Sequence, residues 1–162
     1  MVGGVVLSKT WIELSVDSAL AGLETVFPGE FLPPRNEGTF VIEGAVPGAQ
    51  LLINSSIAGA AGTFFLHSVP GPYAEVSDFA EHIADRNLRT LALVQEAWLS
   101  VNLIDRNADP DGAWRFIGKT LAAFAPADAA VLVHAGDNKS ERFDEALRRR
   151  MASEIWRGRN YA

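Results

Sequence analysis

The chain has no cysteine. That excludes a disulfide framework, a thiolate-held zinc site, an iron–sulfur cluster and a cysteine nucleophile. Basic residues are outnumbered, 14 to 20, and the formal net charge of -6 argues against bulk binding to nucleic acid or to an anionic membrane. Long apolar runs are also missing. The stretch 44–74 carries no Asp, Glu, Lys or Arg, but Pro47, Gln50, Asn54, His67 and Pro70 divide it into pieces such as Leu51-Leu52-Ile53 and Phe64-Phe65-Leu66. A membrane helix needs roughly 18 or more consecutive apolar residues, so this stretch reads as buried strands joined by Gly and Pro turns. The apolar run Val2–Leu7 lacks a preceding basic region and is followed by Lys9. It reads as the lead-in to a first strand, not a secretory signal. A bacterial, cytoplasmic location without membrane attachment is the matching expectation.

What is present is an ordinary globular composition: 162 residues, 48% hydrophobic and 21% charged. One domain over residues 1–162 is the natural reading. Ile12, Leu14 and Val16 alternate with Trp11, Glu13 and Ser15, the period of a half-buried strand. Asp17 then offers an N-cap for a helix carrying Ala19, Leu20, Leu23 and Phe27. Phe31–Gly38 reads as a loop, and Thr39–Glu43, Gln50–Asn54 and Thr63–Ser68 as a meander of short strands with turns at Gly44–Ala49 and Ser55–Gly62. Ser77 is a candidate cap for a helix bearing Val76, Phe79, Ala80 and Ile83, and a second helical piece spans Leu88–Glu96.

Ala97–Ile104 alternates again, with Trp98, Ser100 and Asn102 on one side. Asp109 precedes a helix that opens on Pro110 and carries Trp114, Ile117, Leu121 and Phe124, with Arg115 and Lys119 toward water. Ala129–His134 reads as a central strand. Asn138 and Glu141 have the spacing of a capping box for a last helix with Phe143, Leu147, Met151 and Ile155. The order predicts an α+β fold: a mixed, largely antiparallel sheet of about six strands with helices packed mainly on one face. The strand at Leu103, the helix at Trp114 and the strand at Val131 predict a βαβ crossover.

Complete catalytic motifs are absent. Gly118-Lys119-Thr120 resembles the end of a phosphate-binding loop, but Ala113 stands where Gly is required and the triplet falls inside a helix. Asn107, Asp109, Asp111 and Gly112 imitate half of a calcium loop, yet position twelve is Gly118 instead of Glu. No cofactor or metal is expected. His67 and His134 both fall near strand ends, and convergence there is the weak catalytic candidate. Trp11 and Trp98, with Ser100 and Asn102, are the binding candidates, because two Trp-plus-polar strand faces make one semi-polar sheet face if they pair. Charge is uneven: residues 139–162 hold seven basic and four acidic side chains, including Arg148, Arg149, Arg150, Arg157 and Arg159, whereas 1–138 are strongly acidic.

The segment Phe64–Pro72, the strand Ala97–Leu103, the helix Trp114–Phe124, the strand Ala130–His134 and the Phe143 helix resemble a bacterial family catalogued as domain of unknown function 4261. The resemblance covers residues 10–156 in layout. It implies that fold layout and no reaction, and the His-rich segment associated with the strand at Ala97 is missing here. The functional expectation is a non-catalytic binding or protein-interaction module, taking a protein partner or a small ligand. The alternative is a small enzyme with its site near His67 and His134. A homodimer through the Trp face or the last helix is a third reading.

Overall fold

The computed structural model describes residues 2–28, 39–41, 49–57, 60–73, 76–104, 110–135, 139–153 and 156. Along the chain the elements are β1 (Val2–Ser8), α1 (Val16–Val26), β2 (Thr39–Val41), β3 (Ala49–Ile57), β4 (Ala60–Pro70), α2 (Val76–Glu81), α3 (Arg86–Leu93), β5 (Ala97–Leu103), α4 (Pro110–Phe124), β6 (Val131–His134), β7 (Lys139–Arg142) and α5 (Glu145–Ala152). The Val-rich run at the N-terminus forms an interior strand of the sheet, between β5 and β6. Val5, Val6 and Leu7 are buried although they point to alternate faces, which is why this strand shows no polar alternation.

The architecture is α+β. Among the described residues seven strands are ordered β2-β3-β4-β5-β1-β6-β7, and every pairing between them is antiparallel. Both β5 and β6 run antiparallel to β1 and therefore parallel to each other. The expected crossover through α4 is present, with β1 inserted between its two strands. Among the described residues no helix is long and apolar enough to cross a membrane.

The pleat sorts side chains onto two faces. On the first, Val6, Phe64, Leu66, Leu99, Val101 and Leu132 meet residues of α1, α4 and α5. Phe116 stacks on Phe27 at 5.4 Å and tilts against Phe64 at 4.1 Å. On the second face, Val5, Leu7, Val131 and Val133 meet Ile83, Leu88 and Ala92 from the α2–α3 region. Among the described residues helices cover both faces, with more on the first, three against two.

Several local expectations change. The alternating Trp11–Val16 segment is not a strand: residues 11–15 form no ladder, and α1 begins at Val16. Its alternation reflects true one-sided burial, since Leu14 is buried and the Ile12 carbonyl accepts a hydrogen bond from Ser68 Oγ. The cap of α1 is Ser15, in a reciprocal box with Ser18, not Asp17. The expected turn Ser55–Gly62 is mostly strand, because pairing continues to Ile57↔Ala60. Small residues weaken side-chain packing but leave ladder hydrogen bonds intact.

α3 starts two residues earlier than expected, capped by Asp85, whose side chain accepts from Asn87 N and Leu88 N. Ser77 lies inside α2 and does not cap it. The capping-box pattern at Asn138 and Glu141 does not start a helix. Residues Lys139–Arg142 pair as the edge strand β7, and Asp144 caps α5 instead. Arg115 and Lys119 do not simply face water: both hold their charge over the Phe27 ring at 5.8 Å. The expected loop Phe31–Gly38, the turn at 44–48 and the Asn107 and Asp109 positions lie outside the described residues.

Candidate functional site

The two candidate histidines do not converge. His67 pairs across the ladder with Ser100, which pairs with Val5, which pairs with Val133. His134 follows Val133 and so points to the opposite face. Three strand spacings also separate them, about 14 Å. His134 belongs to the closed first face. It is buried, its Nε2 lies 2.8 Å from Glu141 Oε1, and its ring stacks on Trp156 at 6.2 Å. Trp156 in turn meets Trp114 edge-on at 5.1 Å. Gly118 makes room for it: a Cβ there would stand 2.7 Å from Trp156 Cε3.

The two tryptophan faces do not merge either. Trp11 is exposed on a segment whose Leu14 and Ile12 pack against the first face. Trp98 packs against the second. A joint Trp11–Trp98 surface is thereby corrected, because the Trp11 segment never enters the sheet. The remaining candidates, Trp98, Ser100 and Asn102, do share one face on β5, with His67 beside them on β4.

That face is assembled by a turn. β4 stops at Pro70, and Gly71 adopts φ 108°, a conformation that favours glycine. Its N–H donates to the Glu96 carbonyl at 2.6 Å. The turn brings Tyr73 back over the sheet, where its ring meets Trp98 at 5.5 Å and Phe79 at 5.7 Å. His67 continues the series, edge-on to Trp98 at 5.8 Å and to Phe65 at 3.9 Å. Five rings therefore run in sequence, Phe65–His67–Trp98–Tyr73–Phe79. α3 lies over β6 and β7, so the rings on β4 and β5 stay half-exposed.

Polar groups line one side of this ribbon. Ser100 is buried, and Asn102 Nδ2 donates to Ser100 Oγ at 3.2 Å. Asn102 has space only because its neighbour on β1 is Gly3, where a Cβ would stand 2.2 Å from Asn102 Oδ1. A glycine inside a Val-rich strand is the signal of such close approach, although by pattern alone Gly3 is only part of an apolar run. His67 Nε2 is buried with no hydrogen-bond partner among the described residues. Burial lowers the His67 pKa from its ordinary value and raises that of Tyr73, so near neutrality both rings are uncharged. No hydrogen bond joins His67 to Ser100, whose hydroxyl is engaged by Asn102. The pair therefore lacks the nucleophile–base contact of acyl-transfer sites.

The basic C-terminal region is largely structural where it is described. Arg148 donates to the carbonyls of Ala122, Ala125 and Pro126 at 2.6–3.1 Å, closing the C-terminal end of α4. Arg149 pairs with Glu145 at 3.0 Å, and Arg150 lies 3.8 Å from Glu141. Arg157 and Arg159 lie outside the described residues. The Gly118-Lys119-Thr120 triplet sits inside α4, as its helical pattern required. No known protein family, no curated protein and no solved structure matches this chain.

Proposed function

We propose that the protein is a binding module whose site is the β4–β5 part of the second sheet face, and that it takes a small planar group. The observation that carries this reading is the half-exposed ribbon of rings around His67, bordered by Ser100 and Asn102. Aromatic faces and edges supply apolar contact with little conformational entropy to lose, and an uncharged imidazole offers one donor and one acceptor. Few precisely placed polar groups on an apolar floor is the usual composition of small-molecule sites. The enzyme alternative has lost its second histidine and has no competing observation in its favour. From Phe64 onward the order is strand, Pro turn, helices, strand, helix, two strands and helix, and its part up to β6 is what supports the resemblance to the uncharacterised bacterial family.

The test is a ¹H–¹⁵N titration with indole and with adenine. The Trp98 indole N–H and the amides of His67 and Ser100 should move together and saturate, and Asn102→Ala should weaken the response. Shifts scattered over the whole surface, or none at millimolar probe, would remove the proposal.

A further inference from the structure

A cavity lies between the start of α3 and the edge strand β7. It has a volume of about 340 Å³. Its walls carry opposite charges, Asp85 on the α3 side and Arg142 on β7, with Leu88 and Leu91 as apolar floor and Asn87 and Ser140 as neutral polar groups. Ser140 shares a ladder row with Val133, Val5 and Ser100, so three strand spacings, about 14 Å, separate this cavity from the β5 site.

Asp85 and Arg142 border one cavity, yet no ion pair joins them within the described residues. They are held apart beyond the 4.0 Å reach of a salt bridge. Asp85 Oδ1 already accepts from Asn87 N at 2.8 Å and Leu88 N at 3.1 Å, which fixes the carboxylate and leaves Oδ2 for another donor. The guanidinium of Arg142 is exposed, and no hydrogen bond or ion pair engages it among the described residues. Ser140 Oγ is buried without a hydrogen-bond partner. Glu141 adds no charge to this wall, because its carboxylate meets His134 and Arg150 on the other face. A carboxylate and a guanidinium that line one cavity together with apolar side chains complement a ligand that carries both charges.

We propose that this cavity binds a small zwitterion, a free α-amino acid with an apolar side chain. The ammonium meets Asp85 Oδ2. The carboxylate meets the forked donors of Arg142, a geometry guanidinium favours, and the side chain lies on Leu88 and Leu91. The experiment is an NMR titration of the whole chain with L-leucine, leucinamide and N-acetyl-leucine, read at the Asn87 and Ser140 amides. L-leucine should bind at least about tenfold more tightly than either derivative, a factor equal to about 1.4 kcal/mol.

Arg142→Gln should weaken L-leucine and N-acetyl-leucine and leave leucinamide unchanged. Asp85→Asn should weaken L-leucine and leucinamide and leave N-acetyl-leucine unchanged; Asn caps helices as well as Asp, so the fold is retained. Equal binding of all three compounds would show a merely apolar hollow and overturn the proposal. So would the absence of any shift with millimolar L-leucine, or shifts that ignore both substitutions.

Discussion

Two clusters of the same chemistry sit on opposite faces of one sheet. On the first face a histidine, His134, stacks on Trp156, which meets Trp114 edge-on. On the second a histidine, His67, meets Trp98 edge-on, and Trp98 in turn meets Tyr73. The first is sealed: His134 Nε2 has a carboxylate partner, and Trp156 fits the space above Gly118. The second is half-open, and His67 Nε2 has no partner. Residue type does not distinguish a core cluster from a site. What covers it does, and here the difference is that α4 and α5 lie over one cluster while α3 is displaced toward β6 and β7 over the other.

The largest expected contrast comes from cutting each cluster. Trp114→Ala should cost about 3–5 kcal/mol in chemical denaturation, the range for a buried large aromatic, and Trp98→Ala roughly half as much because its ring is half-exposed. Equal losses would erase the distinction. Next is Arg148, which ties α5 to the end of α4. Arg148→Ala leaves carbonyls of Ala122, Ala125 and Pro126 without their charged donor and should cost about 1.5–3 kcal/mol. An unchanged denaturation midpoint would show that the lid over the first cluster does not depend on this clamp.

A comparable or smaller loss, about 1–3 kcal/mol, is expected for Gly118→Ala, since overpacked cores shift to relieve contact. The added Cβ would meet both Trp156 Cε3 at 2.7 Å and the Met151 carbonyl at 3.2 Å. The Trp156 indole resonance should move strongly while Trp98 stays in place.

The smallest effect is a pH dependence from His67 in the open cluster. Burial holds the His67 pKa below its ordinary value of 6.5. As pH falls through that value, the unfolded chain takes up the proton first, so stability declines. The decline ends once the folded imidazole is protonated too, and above 6.5 this group adds no slope. His67→Gln should flatten that segment of a stability–pH curve. A curve unchanged by the substitution would contradict the burial of the ring.

Much of this was legible in the residues. The 3.6-residue stripe of Trp114, Ile117 and Leu121 marked a core helix, and the alternation Trp98/Ser100/Asn102 marked the strand that carries the site. Other parts were hidden for physical reasons. Alternation in Trp11–Val16 reports one-sided burial, which an unpaired extended segment shares with a strand. The edge strand Lys139–Arg142 has no apolar signal, because exposed edges tolerate or require charge, and its polar residues imitated a helix cap. His67 and His134 look alike until the ladder register assigns them to opposite faces. Gly3 gains its meaning only from Asn102, a residue far away in the chain.

One spectrum tests the central contrast most directly. Indole titrated into the ¹⁵N-labelled protein should shift the Trp98 indole N–H saturably and leave the Trp156 indole N–H in place. Equal movement of both signals, or movement of Trp156 alone, would contradict the assignment of the open face as the binding face.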